Sequence, residues 1–299
     1  VVRALITGDR GFLGRHFKAE LERRGYEVTG LDVKASSSQD CRLFFQQQAR
    51  HPEHDWMPFD LVVHCAAVVG GRETIERDPL KTAESLSIDA EMFRWAAITR
   101  PGRVLYFSSS AAYPVMLQSG GDETRLREDV LNPGGIWTAQ PDEVYGWSKV
   151  TGELLADRLR RTGVPVTVVR PFSGYGEDQD PSYPFRAILE RVKAGDDPVQ
   201  LWCGDCTRDW IHVDDVVAGA LAVAESGTEQ PVNLCTGKPT SFVLLARMMA
   251  REAGYEPAIH VDPDAPQGVA YRVGDPSRML THYAPQVTLE EGIRRALSL

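Results

Sequence analysis

The stretch Thr7-Gly8-Asp9-Arg10-Gly11-Phe12-Leu13-Gly14 decides the fold. It follows a run rich in Val, Leu and Ile (Val1 to Thr7), and after it Leu13, Phe17 and Leu21 recur every four residues until Gly25 supplies a C-terminal stop. An apolar strand, a glycine-bearing turn and a helix therefore succeed one another directly. Glycines permit the tight turn and close backbone approach, and the helix start offers free N–H groups at the positive end of its dipole. Together these suit a pyrophosphate.

Outward from this unit, further apolar runs stand at Val28 to Val33, Leu61 to Ala67, Val104 to Ser108 and Val164 to Arg170. None shows the polar alternation of a half-exposed strand, so the runs predict a parallel sheet covered by helices on both faces. Glu84 to Thr99 and Tyr145 to Arg161 have helical spacing. Beyond Pro171 the pattern loosens into a Gly, Asp, Pro and Tyr loop (Gly174 to Pro184), a helix (Phe185 to Ala194) and a strand (Val199 to Cys203). A helix (Asp214 to Ala224), a strand (Val232 to Cys235) and two amphipathic helices (Phe242 to Glu252 and Leu289 to Leu297) complete the chain. The expectation is an α/β fold: a doubly wound parallel (Rossmann) sheet over residues 1–170 and 212–236, with a smaller, mixed C-terminal lobe over 171–211 and 237–299.

The 299 residues are 42% hydrophobic and 25% charged, which excludes disorder and fibrous repeats. A formal charge of −9 gives no reason to expect nucleic acid or an anionic membrane as partner. Five cysteines read as reduced thiols of a cytoplasmic protein. The lone pair Cys203 and Cys206 lacks the further ligands of a zinc site and reads as two incidental thiols. His51 and His54, beside Pro52, read as a solvated loop, so no metal is expected. With no basic segment followed by an apolar run at Val1 onward, and no apolar stretch approaching the ~18 residues of a membrane span, a cytoplasmic location is expected.

Asp32 ends the second apolar run, 18 residues after Gly14. A carboxylate there can accept hydrogen bonds from an adenine-ribose diol and would repel a 2′-phosphate, which favours NAD over NADP. Tyr145 and Lys149 lie one helical turn apart. A nearby ammonium favours a phenolate, so such a tyrosine can exchange a proton with an alcohol. Ser108-Ser109-Ser110 ends the fourth run, at the carboxyl edge of the sheet, where ligands bind in doubly wound folds. A serine hydroxyl there can hold the oxygen that Tyr145 titrates.

With these residues in place, the chain resembles the extended short-chain dehydrogenase/reductase family, in its nucleotide-sugar epimerase/dehydratase branch. The motifs that carry the resemblance run in order along nearly the whole sequence: TGDRGFLG, Asp32, His64-Cys65-Ala66-Ala67, SSSAAYP, YGWSK followed by Glu153, RPFSGYG (Arg170 to Gly176) and RDWIHVDDV (Arg208 to Val216). The resemblance implies that the first lobe binds NAD and the second a nucleotide-diphosphate sugar. It implies Tyr145 as the acid/base, Lys149 as ribose ligand and tuner of Tyr145, and Ser109 as the active-site hydroxyl. Gly8, Arg10, Gly11, Phe12, Leu13, Gly14, Asp32, Ala66 and Ala67 would contact the cofactor, with Asp40 and Cys41 near its adenine. It further implies a homodimer joined through the helices Glu84 to Thr99 and Tyr145 to Arg161, whose outer faces could equally be solvated.

Dehydratases of the branch carry an Asp-Glu pair after the serine position; this chain has Ser110 and Ala111. Related decarboxylases place Glu, and 3,5-epimerising relatives Cys, where Ala111 stands. The expected reaction is therefore NAD-dependent 4-epimerisation of a nucleotide-diphosphate sugar through a 4-keto intermediate. The alternatives are a 4-keto-sugar reductase, a dehydratase using Asp122, Glu123 or Glu143 (acids that otherwise read as a solvated loop), an epimerase acting at another carbon, and a catalytically silent NAD-binding protein. Arg208 matches the arginine that grips the substrate diphosphate, with guanidinium geometry suited to phosphate. Ser173 replaces a common Asn near that diphosphate, Ser110 borders the substrate, and Pro266-Gln267-Gly268 replaces Arg-Pro-Gly-Asp. Arg272 is the candidate second charge, with a surface ion pair as its other reading. The segment Pro114 to Glu143 and residues Tyr183 to Phe185 are expected to shape the sugar pocket.

Overall fold

The structure, a computed structural model, describes residues 1–51, 57–70, 78–119, 124–131, 140–265 and 268–298. Strands β1 (Arg3–Thr7), β2 (Glu27–Leu31), β3 (Leu61–His64), β4 (Val104–Phe107), β5 (Val166–Pro171) and β9 (Val232–Leu234) form one sheet in the order β2-β1-β3-β4-β5-β9. Every pairing in it is parallel. The order reverses beside β1, which opens a crevice at the carboxyl ends of β1 and β3.

Period-two geometry explains why these strands are apolar throughout. Ala4 and Ile6 of β1 enter one core together with Leu61, Val63, Leu105 and Phe107. Leu5, Val62, Val104 and Tyr106 point the other way, into a second core. Helix α1 (Phe12–Arg23) contributes Phe17 and Leu21 to the first core; α2 (Cys41–Arg50) and α3 (Pro79–Thr99) close the second with Phe45, Met92 and Trp95. Helix α3 starts ahead of the expected Glu84 because Asp78 caps it, its side chain accepting the Lys81 N–H, with Pro79 in the first helical position. Helix α4 (Glu143–Arg160) packs beside α3.

The remaining strands build a smaller, mixed assembly: β6 (Ser173–Tyr175), β7 (Val199–Leu201), β8 (Thr207–His212), β10 (Pro239–Ser241), β11 (Ile259–Val261) and β12 (Tyr271–Arg272). β10 runs antiparallel to β8, β12 and β6 run parallel to it, and β11 pairs with β7. Helices α5 (Pro184–Ala194), α7 (Phe242–Glu252) and α8 (Leu289–Leu297) bury Phe185, Leu189, Leu245, Met249 and Ile293 against it, while α6 (Val213–Ser226) returns to the first core.

One expectation is corrected. Cys203 and Cys206 are not separate thiols: they form a disulfide, with α-carbons 5.6 Å apart, inside the turn that follows β7. The turn ends the strand at Leu201, ahead of the expected Cys203. It is pinned on both sides, because Phe242 and Val243 at the start of α7 donate their N–H groups to the Cys206 and Gly204 carbonyls. Compartment arguments from cysteine counts do not register a turn that brings two sulfurs together. Cys41, Cys65 and Cys235 are free thiols. His54 lies outside the described residues. Among the described residues there is no cluster of metal-ligating side chains, and no helix long and apolar enough to cross a membrane.

Candidate functional site

The glycine loop fits a nucleotide cofactor by having no room for side chains. Gly8 has φ +72°, and a β-carbon there would lie 3.0 Å from the Ala66 nitrogen; one on Gly14 would lie 2.0 Å from the Gly8 carbonyl oxygen. Helix α1 is thus pressed onto the loop, which leaves the loop's backbone facing the sheet edge at the helix N-terminus. Gly11 closes the turn by donating its N–H to the Gly8 carbonyl (2.9 Å), and Phe12 and Leu13 begin the helix.

Asp32 directly follows β2 and is 7% exposed. Its carboxylate accepts the N–H groups of Arg10 (3.0 Å) and Lys34 (2.7 Å), which hold it over the loop and leave lone pairs for a diol. Asp9, a loop residue to which the sequence assigns no role, packs its carboxylate against Gly30, where a β-carbon would stand 2.1 Å from its oxygen, and pairs with Lys18. Asp40 caps α2 and pairs with Arg42 (2.6 Å), and burial pushes the neighbouring Cys41 thiol up to about 12. Ala66 donates its N–H to the Thr7 hydroxyl, which places Ala66 and Ala67 just past β3 at the crevice.

Past β4, Ser109 caps a tight turn (Ser110–Ala112), its hydroxyl accepting the Ala111 N–H at 3.1 Å. Ser110 is buried. Half-buried Tyr145 and buried Lys149 lie in the first two turns of α4, which docks on the Ser110–Ala112 turn: Asp142 donates its N–H to the Ala111 carbonyl (2.9 Å). The Lys149 ammonium lies 5.8 Å from the centre of the Tyr145 ring and 5.3 Å from that of Tyr106.

Lys149 is 4% exposed, and its counter-charge comes from a residue the sequence did not reveal. Asp89 of α3 accepts hydrogen bonds from Tyr106 (2.6 Å) and His64 (3.1 Å), and the His64 ring reaches the Thr7 hydroxyl at 2.8 Å. Burial opposes the Asp89 charge, yet the Lys149 ammonium and the His64 and Tyr106 bonds outweigh it and hold the carboxyl below its usual range. A second buried group braces the serine strand. Glu153, one turn beyond Lys149, accepts from the Ser108 hydroxyl (2.5 Å) and from the fully buried Arg170 (2.6 and 2.8 Å). Arg170 in turn donates to the Tyr113 hydroxyl, which donates to Asn233 of β9. Both groups join residues far apart in sequence, and only the motif positions of His64, Glu153 and Arg170 hinted at them.

On the mixed sheet, Arg208 of β8 and Arg272 of β12 are paired across a parallel ladder, so they occupy one face side by side. Arg208 lies over the Phe242 ring and donates to the Thr207 carbonyl. Arg272 donates to Gln118 and to Asp142. Ser173 of β6 pairs with Trp210 of β8. Asp122, Glu123, Pro266 and Gln267 lie outside the described residues, and Glu143 is exposed at the first position of α4.

A family model described as the NAD dependent epimerase/dehydratase family matches residues 4–235. The chain belongs to that family. A dTDP-4-dehydro-6-deoxy-D-allose reductase of Streptomyces bikiniensis is 30% identical, over 92% of this chain and 88% of the relative. A GDP-mannose 3,5-epimerase of Oryza sativa subsp. indica is 27% identical, over 98% and 80% respectively. The crystal structure of a Thermus thermophilus UDP-glucose 4-epimerase in complex with NAD superposes with a TM-score of 0.82 at 25% identity, covering 99% of this chain and 98% of that one. The cofactor of this epimerase/dehydratase family member is NAD, and the loop from Gly8 to Gly14 with Asp32 is the candidate seat for it. The relatives span reduction and two kinds of epimerisation, so membership makes the chain an enzyme of this group without choosing the reaction.

Proposed function

We propose that the protein is a nucleotide-diphosphate-sugar 4-epimerase. The observation that carries this reading is what flanks Ser109: Ser110 and Ala111 are buried in a turn against α4 and offer no carboxylate or thiol for chemistry at a second carbon. Bound NAD supplies a hydride acceptor, and afterwards a donor, at sugar carbon 4.

Tyr145 takes the proton from the 4-hydroxyl and later returns it. Lys149, 5.8 Å from the centre of the Tyr145 ring, stabilises the phenolate and binds a ribose hydroxyl, while the Asp89 carboxylate balances its charge. Ser109 orients the same sugar oxygen, with Ser110 at the rim. Arg208 takes the diphosphate in forked contacts, with Arg272 beside it and Ser173 at its edge. Gly8, Arg10, Gly11, Phe12, Leu13 and Gly14 cradle the cofactor's pyrophosphate, Asp32 its ribose, Asp40 and Cys41 its adenine side, and Ala66 and Ala67 its inner half.

In this reading residues 1–170 and 212–236 form the cofactor lobe and 171–211 and 237–299 the sugar-nucleotide lobe. The enzyme works in the cytoplasm as a homodimer joined through α3 and α4. A 4-keto-sugar reductase is the second reading, favoured by the 30% identity to the allose-series reductase. Incubation with UDP-glucose and separately dTDP-glucose, without added cofactor, tests the first: the 4-epimer should accumulate to equilibrium. Turnover of 4-keto sugars only, at the expense of added reduced nicotinamide, would replace it with the second.

A further inference from the structure

Asp142, the residue before α4, is engaged on three sides. Its N–H donates to the Ala111 carbonyl in the serine turn (2.9 Å), and its carbonyl accepts the Gly146 N–H, the first helical bond around Tyr145 (2.9 Å). Its carboxylate takes a hydrogen bond from Arg272 Nη2 at 2.8 Å. The ion pair is largely withdrawn from water, with side chains 13% and 10% exposed.

Arg272 also donates from Nε to Gln118 Oε1 (2.6 Å). Gln118 is itself buried and donates from its amide nitrogen to the Tyr113 and Pro114 carbonyls (3.0 and 3.2 Å). One guanidinium from the mixed sheet therefore fastens both the chain leaving the serine turn and the residue that starts the tyrosine helix. The backbone held there is strained: Gln140 and Glu143, on either side of Pro141 and Asp142, have φ +31° and +56°, in a region that residues other than glycine rarely occupy. Such strain persists where the surroundings over-determine the conformation, and it gathers at functional sites. On the other side, Arg272 is the ladder partner of Arg208.

We propose that Arg272 and Asp142 are a positioning pair that couples the diphosphate seat at Arg208 to the placement of Tyr145 against Ser109. The inference rests on the proposed roles of Arg208 and Tyr145. The pair touches neither the cofactor nor the reacting atoms; it sets where the first turn of α4 stands when the seat is filled. Neutralising either member removes one charge from this largely buried ion pair and loosens the hold on the strained segment.

The test uses Arg272→Gln, Asp142→Asn, the double variant, and the charge-keeping Arg272→Lys and Asp142→Glu, with NAD bound and UDP-glucose as probe. Each neutralised single should lower kcat at least tenfold; Asp142→Asn should hold KM within threefold, whereas Arg272→Gln, which also removes a charge beside the diphosphate seat, should raise KM as well. The double should be no slower than the slower single, because both changes break one link. Arg272→Lys should recover part of the rate. Unchanged kcat in folded variants, a loss confined to KM, or losses that multiply in the double variant would overturn the pairing. If the neutral variants do not fold, the charge-keeping ones decide: each should lower kcat with KM held.

A wild type inert on UDP-glucose would count against the proposed function and leave the pair to a substrate-free readout. That readout is hydrogen exchange at the Asp142 and Gly146 amides, whose bonds to the Ala111 and Asp142 carbonyls fix the start of α4 against the serine turn. Loss of the pair should speed exchange at both amides in Arg272→Gln and Asp142→Asn alike, and wild-type exchange in either folded variant would overturn the inference.

Discussion

Gly146 lies so close to Ala111 that a β-carbon on the glycine would stand 2.4 Å from the alanine's carbonyl oxygen. The helix that carries Tyr145 is therefore in backbone contact with the turn that carries Ser109. No rotamer change relieves such an overlap, since backbone meets backbone. We expect Gly146→Ala to push α4 outward and cost about 1–3 kcal/mol, the range for overpacking a close-packed contact. Turnover should fall at least tenfold while calorimetric NAD affinity stays within a few-fold. Full activity with an unchanged melting temperature would show that the helix has slack at this contact.

The proton transfer assigned to Tyr145 has a direct test. Tyr145→Phe keeps the ring over Lys149 and removes only the hydroxyl, so turnover should drop by ~10²–10⁴ with little change in sugar-nucleotide affinity. Ser109→Ala should give a smaller loss of the same kind. Near-normal turnover by Tyr145→Phe in a stopped assay would move the acid/base role elsewhere.

The fixed carboxylate at the end of β2 makes a prediction about cofactor choice. Backbone N–H groups of Arg10 and Lys34 orient the Asp32 carboxylate, and in the proposed site its charge opposes a 2′-phosphate. NAD should bind at least tenfold more tightly than NADP, and Asp32→Ala should erase the preference. Calorimetry with both cofactors on both proteins measures this, and equal affinities in the wild type would contradict it.

The parts of this arrangement that the sequence disclosed are those set by local periodicity. The apolar runs became the buried strands because β1, β3, β4 and β5 feed cores on both faces, and the Tyr145 and Lys149 spacing became proximity because one helical turn separates them. What stayed hidden depends on register between distant segments. Asp89 meets His64 and Tyr106 only because α3 packs across β3 and β4, and Arg272 meets Gln118 and Asp142 only through the placement of β12 beside β8. The Cys203 to Cys206 disulfide was obscured differently, by reasoning from compartment where turn geometry decides.

Arg208 tests the sugar-nucleotide seat separately from the cofactor site. Its guanidinium lies on the mixed sheet and Asp32 on the parallel sheet, so Arg208→Ala should weaken UDP-sugar binding and spare NAD. A charge-assisted contact to phosphate is worth about 1.5–3 kcal/mol, roughly a ten- to hundredfold rise in the dissociation constant. Unchanged affinity for UDP-glucose in a titration would leave Arg208 with a structural role over Phe242.

The reactions that share Ser109, Tyr145 and Lys149 differ in what becomes of the hydrogens. In a 4-epimerisation the hydrogen leaves carbon 4 as hydride and returns to it within the closed site, so product made in deuterium oxide should carry no carbon-bound deuterium. A 4,6-dehydratase or a 3,5-epimerase must deprotonate carbon beside the keto group, and reprotonation there admits solvent deuterium. The carboxylates or thiol for that step are missing next to Ser109, where Ser110 and Ala111 are packed into the turn under α4. A reductase also leaves its product free of deuterium, but it consumes one reduced nicotinamide per turnover, whereas the epimerase needs only the cofactor it holds. Mass spectrometry of product formed in deuterium oxide, with the reduced-nicotinamide absorbance followed alongside, separates the three. Undeuterated product with no net cofactor consumption is the expected result; carbon-bound deuterium would refute simple epimerisation, and stoichiometric consumption would establish the reductase.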